Sequence, residues 1–66
     1  MSINGITVGV RFEDGTIVDG KPVGLQLDDG TTYMTVEFPD GSLKRIVPPQ
    51  GWTYSDDRGW YPENLL

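Results

Sequence analysis

Apolar and polar residues alternate with a period of two along three stretches of this 66-residue chain. Such alternation turns one face of a strand towards a core and the other towards solvent. The positions expected to point inward are Ile6, Val8, Val10, Phe12, Val23, Leu25, Leu27, Met34, Val36 and Phe38. No window shows the 3.6-residue spacing of an amphipathic helix, and alanine is absent. The pattern therefore predicts an all-β protein.

A recurring phrase separates the alternating stretches: FEDGTIV, LDDGTTY and FPDGSLK. Each contains Asp-Gly followed by Thr or Ser. Asp-Gly between apolar runs is a strong hairpin signal, because glycine readily adopts the positive φ of a tight turn. The Asp-Gly pairs lie fifteen and eleven residues apart, and this unequal spacing argues against a solenoid. We therefore expect one turn chemistry that is used three times.

A fourth turn is predicted at Ser55–Gly59, whose sequence SDDRG suits a type I turn with glycine in the left-handed position. This turn would form a last hairpin. Its first arm would carry Trp52 and Tyr54, and these residues would face Trp60 and Pro62 on the second arm.

The whole chain, residues 1–66, is expected to form one domain of about five short strands. The segment PPQG at 48–51 interrupts the sheet before the last hairpin, because proline cannot donate to a ladder. Curling into a small barrel would remove the unpaired edges of such a sheet. Gly9, Gly20 and Gly24 are candidate bend or bulge positions.

The C-terminal segment GWYPENLL, residues 59–66, resembles the last segment of SH3 domains. In those domains a glycine and a bulky pair precede Pro-x-Asn, a short 3-10 turn and a final strand of two apolar residues. The segments VRFEDGTIV and VEFPDGSLKRIVP are similar to strand–turn–strand units of Tudor-like and other SH3-like barrels. The resemblance implies a five-stranded SH3-like barrel that Leu65 and Leu66 close beside the first strand.

The same resemblance implies a peptide groove to which Trp52, Pro62 and Asn64 would contribute. The chain departs from the SH3 pattern in three respects. It has no Ala-Leu-Tyr-Asp-Tyr-like opening, and Leu65 stands where the final groove tyrosine is found. The groove tryptophan of those domains also lies further before the proline than Trp52 lies before Pro62. The resemblance therefore extends to the fold more than to polyproline binding.

Aromatic residues are concentrated near the end of the chain, with two aspartates among them. Together with the groove positions, they make the candidate binding residues Trp52, Tyr54, Asp56, Asp57, Trp60, Tyr61, Pro62 and Asn64. Such a set would suit a groove for an extended peptide or an aromatic cage for a cationic side chain. The rings would alternatively supply the core of a small domain. Because strand alternation cannot bury both Trp60 and Tyr61, at least one ring is expected at the surface.

The net charge of −5 arises from ten acidic and five basic residues. Binding to nucleic acid requires clustered cations, whereas those of this chain are scattered apart from the pair Lys44-Arg45. Direct nucleic-acid binding is therefore not expected. An acidic surface suits a basic partner, or serves only to keep a small protein in solution.

The composition offers no support for catalysis. The chain lacks cysteine and histidine, and its acidic turns do not have the spacing of a calcium loop. We predict a protein that is not an enzyme and that has no catalytic residue, cofactor or metal site. The N-terminal segment has no basic region, and no apolar run reaches membrane-spanning length, so we expect neither a signal peptide nor a membrane span. Since the chain starts at Met1, we expect a complete small cytoplasmic protein with no membrane association.

Three functional hypotheses follow. The first is an interaction module that binds a basic protein or peptide through an aromatic face rimmed by acidic residues. The second is an acidic inhibitor or accessory protein from a phage or mobile element, which would occupy a basic nucleic-acid-binding surface of a host protein. The third is a homo-oligomeric structural or assembly component, because small cores and open sheet edges favour association.

Overall fold

The computed structural model describes residues 6–65, with the side chain of Leu65 excepted, and these residues form an all-β protein. The predicted all-β class is therefore confirmed. The strands are β1 (Val8–Arg11), β2 (Ile17–Asp28), β3 (Thr31–Glu37), β4 (Leu43–Ile46), β5 (Trp52–Ser55) and β6 (Gly59–Pro62), and a 3-10 helix η1 (Glu63–Leu65) follows. No helix within residues 6–65 is long and apolar enough to cross a membrane.

Two antiparallel sheets organise the strands. One has the order β1–β2–β3–β4, and the other contains only β5 and β6. The central strand β2 pairs with β1 through its first part and with β3 through its second part. A bulge between Pro22 and Gly24 lies within the part that pairs with β3, and such a bulge bends a strand and increases its twist.

The predicted five-stranded barrel differs from the structure in strand number and in closure. There are six strands within residues 6–65, and the two sheets do not close on each other. The 3-10 turn is present, but it includes Leu65, which was expected to begin the closing strand. A 3-10 backbone bonds within itself, so this residue does not extend a sheet. Leu66, the other half of the predicted closing pair, lies outside the described residues.

The three Asp-Gly phrases share a glycine of positive φ, as expected, but they adopt two kinds of turn rather than one. In the β1–β2 turn, the Gly15 N–H donates to the carbonyl of Phe12 at 2.9 Å, and the Phe12 N–H donates to the Thr16 carbonyl at 2.8 Å. These bonds define a three-residue loop that ends in a glycine of positive φ. The β3–β4 turn repeats this arrangement from Phe38 to Ser42.

The β2–β3 turn is shorter, although it has the same Asp-Gly-Thr sequence. Asp28 pairs directly with Thr31, so the loop contains only Asp29 and Gly30. Both loop residues have positive φ, 52° and 80°, as in a type I′ turn. The difference follows from strand register, because adding one loop residue reverses the face on which the following side chains lie.

The hydrophobic core lies on one face of the four-stranded sheet. Its buried residues are Val8, Val10, Met34, Val36, Phe38 and Trp60. The alternation predicted for β1 and β3 is thus observed. Gly20 also lies on this face, because it pairs with Val8 in the antiparallel register. It is buried and lies against Val36 and Phe38, where a Cβ atom would not fit.

The second alternating stretch was expected to be buried and is largely exposed. Val23 lies at the bulge, and Leu25 and Leu27 lie on the core face at 37% and 68% exposure. The β2–β3 hairpin extends beyond the core towards its turn. Period-two alternation identifies the face on which these side chains lie, but the face has no packing partner at this end.

Candidate functional site

The candidate site is built on the β5–β6 hairpin, which carries most of the predicted binding residues. Its strands pair Trp52 with Pro62 and Tyr54 with Trp60. The turn is stabilised by the Ser55 hydroxyl, which accepts a hydrogen bond from the Arg58 N–H at 3.1 Å. Gly59 then adopts a φ of 73°, which glycine permits without steric cost.

The hairpin register divides the aromatic residues between two faces. Residues directly opposite each other share a face, so Trp52, Tyr54, Trp60 and Pro62 lie together. Tyr61 projects from the other face and packs under the Arg58 guanidinium, with the Arg58 Cζ 3.9 Å from the ring centroid. The predicted four-ring cluster is therefore not a single surface.

Trp60 attaches the hairpin to the main sheet. It is 6% exposed, and its indole N–H donates to the carbonyl of Gly24 at 2.7 Å. The acceptor lies beside the β2 bulge, where the ladder is interrupted. Tyr54 packs edge-on against Trp60, with 5.4 Å between ring centroids, and is more exposed, at 39%. The buried indole thus orients the hairpin and leaves Tyr54 at the surface.

A surface depression of about 400 Å³ lies at the base of the hairpin, away from its turn. It brings three of the predicted residues together with three others. Its lining residues are Gln50, Gly51, Trp52, Pro62, Glu63 and Asn64. Asp56 and Asp57 lie in the turn at the opposite end of the hairpin and do not line it.

Backbone hydrogen bonds hold the two sides of this depression together. The Glu63 N–H donates to the Gly51 carbonyl at 2.8 Å, which joins the start of η1 to the segment before β5. The Trp52 N–H donates to the Pro49 carbonyl at 3.3 Å. Trp52 is half-buried and packs against the core. The depression therefore combines a partly exposed indole and a proline ring with amide groups and one carboxylate.

Gln50, Gly51 and Glu63 were not among the residues predicted for the site. Glu63 follows Pro62 directly, so its position beside Asn64 was available as a sequence signal. Gln50 and Gly51 were assigned only to a sheet-breaking segment. Their place in the site depends on the bond from the Glu63 N–H, which connects residues twelve positions apart.

The aspartates of the β1–β2 and β3–β4 turns have a structural role. The Asp14 carboxylate accepts the Thr16 N–H at 2.9 Å, and the Asp40 carboxylate accepts the Ser42 N–H at 3.0 Å. The hydrogen bond from the Thr16 N–H lowers the pKa of Asp14 below its ordinary value. The hydrogen bond from the Ser42 hydroxyl, at 2.7 Å, likewise lowers the pKa of Asp40 below its ordinary value. Within residues 6–65, no three His, Cys, Asp or Glu side chains converge as metal ligands.

Comparisons with known proteins add no further assignment: no family model, no curated protein and no solved structure matches this chain.

Proposed function

We propose that this protein is a non-enzymatic interaction module that binds an extended segment of a basic partner protein in the depression beside Trp52. The observation that carries the proposal is the meeting of Trp52, Pro62 and Asn64 in one depression. Interface energetics are commonly dominated by a few aromatic anchors in partly enclosed positions. The half-buried Trp52 is such a partly enclosed aromatic residue, whereas Trp60 is buried in the core and has little surface to offer a partner.

The chemistry of the lining determines the kind of ligand. The indole of Trp52 and the ring of Pro62 offer rigid apolar contact, which costs little conformational entropy. Asn64 supplies an amide that can both donate to and accept from a peptide backbone. Glu63 supplies a carboxylate for a Lys or Arg of the ligand. A proline-containing segment with a neighbouring cationic residue fits this combination.

We also propose that the architecture is related to SH3-like and Tudor-like barrels. Two features support the relation. The long, bulged strand β2 pairs with β1 through its first part and with β3 through its second part, and a 3-10 helix follows the last strand. The proposal includes no barrel closure by Leu65, whose backbone belongs to η1.

The test uses an amide NMR titration with two synthetic decapeptides. One is proline-rich and contains a single arginine, and the other has glutamate in place of that arginine. We expect the arginine peptide to bind more tightly and to shift the amides of Gln50, Gly51, Glu63 and Asn64. Trp52→Ala should weaken binding at least about tenfold.

Tyr61→Ala is the matched control, because it removes an aromatic ring from the opposite face of the same hairpin. It should leave the affinity of the arginine peptide within about twofold. Circular dichroism of both variants shows whether the sheet is retained. Equal losses in the two variants, or shifts confined to residues outside the depression, would contradict the proposed site.

The second candidate is the acidic inhibitor or accessory protein that occupies a basic surface. The observation in its favour is that residues 6–65 contain one salt bridge, Arg45–Asp28, against ten acidic residues. Most carboxylates therefore remain open to an external cation. Salt dependence separates the candidates, because screening between about 50 mM and 500 mM NaCl weakens charge pairing far more than apolar contact. A steep loss of affinity for a captured partner would favour this second candidate.

A further inference from the structure

The outer edge of β4 has no hydrogen-bonded neighbour among the described strands, because β4 is the last in the order of its sheet. Its bonding pattern follows from the preceding turn. The Phe38 N–H donates to the Ser42 carbonyl at 2.9 Å. Hydrogen-bonded pairs recur at every second residue of an antiparallel ladder, so the polar backbone groups of Lys44 and Ile46 point towards β3.

The alternate residues have the opposite orientation. The N–H and C=O groups of Leu43 and Arg45 point away from β3, and so does the N–H of Val47, because it shares a peptide unit with the Ile46 carbonyl. No hydrogen bond from these groups to another part of residues 6–65 is present. The β3–β4 register is continuous, and the first proline after β4 is Pro48. An extended segment therefore finds an uninterrupted set of donors and acceptors here.

The side chains of Leu43 and Arg45 lie on the outer face of the sheet, and Val47 follows the strand directly. Leu43 and Val47 are among the most exposed apolar residues of the described chain, at 65% and 69%. Arg45 lies between them. The edge thus presents an apolar, a cationic and an apolar side chain in sequence, each beside open backbone groups.

Charged side chains often protect edge strands from pairing, but the two cations of β4 are directed elsewhere. The Lys44 ammonium lies over the Phe12 ring, 5.5 Å from its centroid. The Arg45 guanidinium stacks on Tyr33, with Cζ 4.5 Å from the ring centroid, and its Nη1 donates to Asp28 at 3.1 Å. These contacts hold both cations on the faces of the sheet, so neither side chain covers the edge.

We propose that the β4 edge binds an extended segment of a partner protein by β-strand addition, with an acidic residue of the partner opposite Arg45 and apolar residues opposite Leu43 and Val47. Charge complementarity identifies the partner. Asp28 engages one of the guanidinium donors, and the others remain available for a second carboxylate. Opposite charges and apolar pairs across adjacent strands each stabilise the pairing. The surface is separate from the Trp52 depression and does not depend on it.

A second copy of this chain fits the edge less well. In an antiparallel ladder centred on Arg45, that residue would face its own equivalent, and like charges directly opposite each other destabilise a sheet. The acidic partner segment avoids the local repulsion.

The probe is a capped peptide of sequence Thr-Ile-Thr-Glu-Thr-Val-Thr, titrated into the full-length protein and followed by amide NMR. We expect shifts centred on Leu43–Val47. Replacing the peptide glutamate by lysine should weaken binding about fivefold or more. N-methylation of the glutamate, whose N–H would pair with the Arg45 carbonyl, should weaken it at least about tenfold. N-methylation of the next threonine, whose N–H would point away, should have a much smaller effect.

The protein variant Arg45→Glu should reverse the preference, so that the lysine peptide binds more tightly than the glutamate peptide. Arg58→Glu makes the same change of charge on the distant β5–β6 turn and should leave the preference unchanged. The proposal is overturned if Arg45→Glu and Arg58→Glu act alike, if both N-methylated peptides bind equally, or if the shifts lie elsewhere. Reversible self-association of the unbound protein, seen by sedimentation and strengthened by the neutral change Arg45→Thr, would instead assign the edge to a second copy.

Discussion

Gly20→Ala is expected to destabilise the protein, although it adds only a methyl group to a strand. Gly20 has no positive φ, so backbone conformation does not require glycine at this position. Glycine is required instead because there is no room for a side chain. An added Cβ would collide with Cγ1 of Val36 and would lie 3.1 Å from Cε1 of Phe38. Val36 is fully buried and β-branched, so its methyl group has no free rotamer to move into.

The magnitude follows from two opposing contributions. Overpacking a well-filled core costs about 1–3 kcal/mol. Replacing glycine by alanine within a strand recovers roughly 0.5–1 kcal/mol of backbone entropy. The free energy of unfolding is therefore expected to fall by about 0.5–2 kcal/mol. Each kcal/mol lowers Tm by about 4–8 °C in a domain of this size. Since a chain of this length is stable by only roughly 3–10 kcal/mol, the change is easily measured.

Urea unfolding, followed by tryptophan fluorescence and circular dichroism, measures the effect in a double-mutant cycle. Val36→Ala alone should cost about 2 kcal/mol, because two buried methyl groups are lost and a cavity remains. In the double variant the new methyl group at position 20 enters that cavity. The combined loss should therefore be smaller than the sum of the single losses by about 1 kcal/mol or more.

Gly24→Ala is the control, since an added Cβ there would lie 3.7 Å from Cβ of Thr35, which is an ordinary contact. We expect its stability to stay within about 0.5 kcal/mol of the parent protein. A Gly20→Ala protein as stable as the parent, or additive losses in the cycle, would refute the packing argument.

Two further predictions concern the hairpin attachment and the acidic turns. Trp60→Phe keeps an aromatic ring but removes the donor to the Gly24 carbonyl, so it should lower the free energy of unfolding by about 1.5–3 kcal/mol. An unchanged midpoint of urea unfolding would show that the 2.7 Å hydrogen bond does not contribute to stability. Asp14 and Asp40 have lowered pKa values because their carboxylates accept turn hydrogen bonds. Their contribution to stability is therefore complete above the ordinary aspartate pKa of about 3.9 and is lost as the pH falls through the lower folded value. The double variant Asp14→Asn, Asp40→Asn, which keeps an acceptor oxygen but no titrating group, should lose less stability than the parent protein over this range; parallel acid unfolding curves would argue against the assignment.

Much of the local structure was predictable from the order of residues. The alternation in β1 and β3 identified their buried face, and each Asp-Gly pair marked a turn. The length of each turn was not predictable, because Leu27-Asp28-Asp29-Gly30-Thr31 and Phe12-Glu13-Asp14-Gly15-Thr16 carry the same turn signal. Their difference reflects the pairing register of the flanking strands, which the turn residues themselves do not specify.

The candidate site was predicted in composition but not in arrangement. The resemblance of residues 59–66 to SH3 domains implied a groove to which Trp52, Pro62 and Asn64 contribute, and strand alternation required at least one ring of the hairpin to lie near the surface. It did not show that Trp60 would be buried, or that Tyr61 would pack under Arg58 on the opposite face. That choice depends on which face of the hairpin meets β2.

The amino-acid sequence by itself therefore determined the β class, the positions of the turns and the side of each strand on which apolar residues lie, because these properties arise from neighbours a few positions apart. Only the tertiary structure decided where the core ends, and so left Leu25 and Leu27 exposed while Met34 is enclosed. It also decided how the last hairpin is oriented, through a hydrogen bond between Trp60 and Gly24, 36 residues apart in the chain. Burial requires a partner surface, and which distant segments supply one is settled only when the whole chain packs.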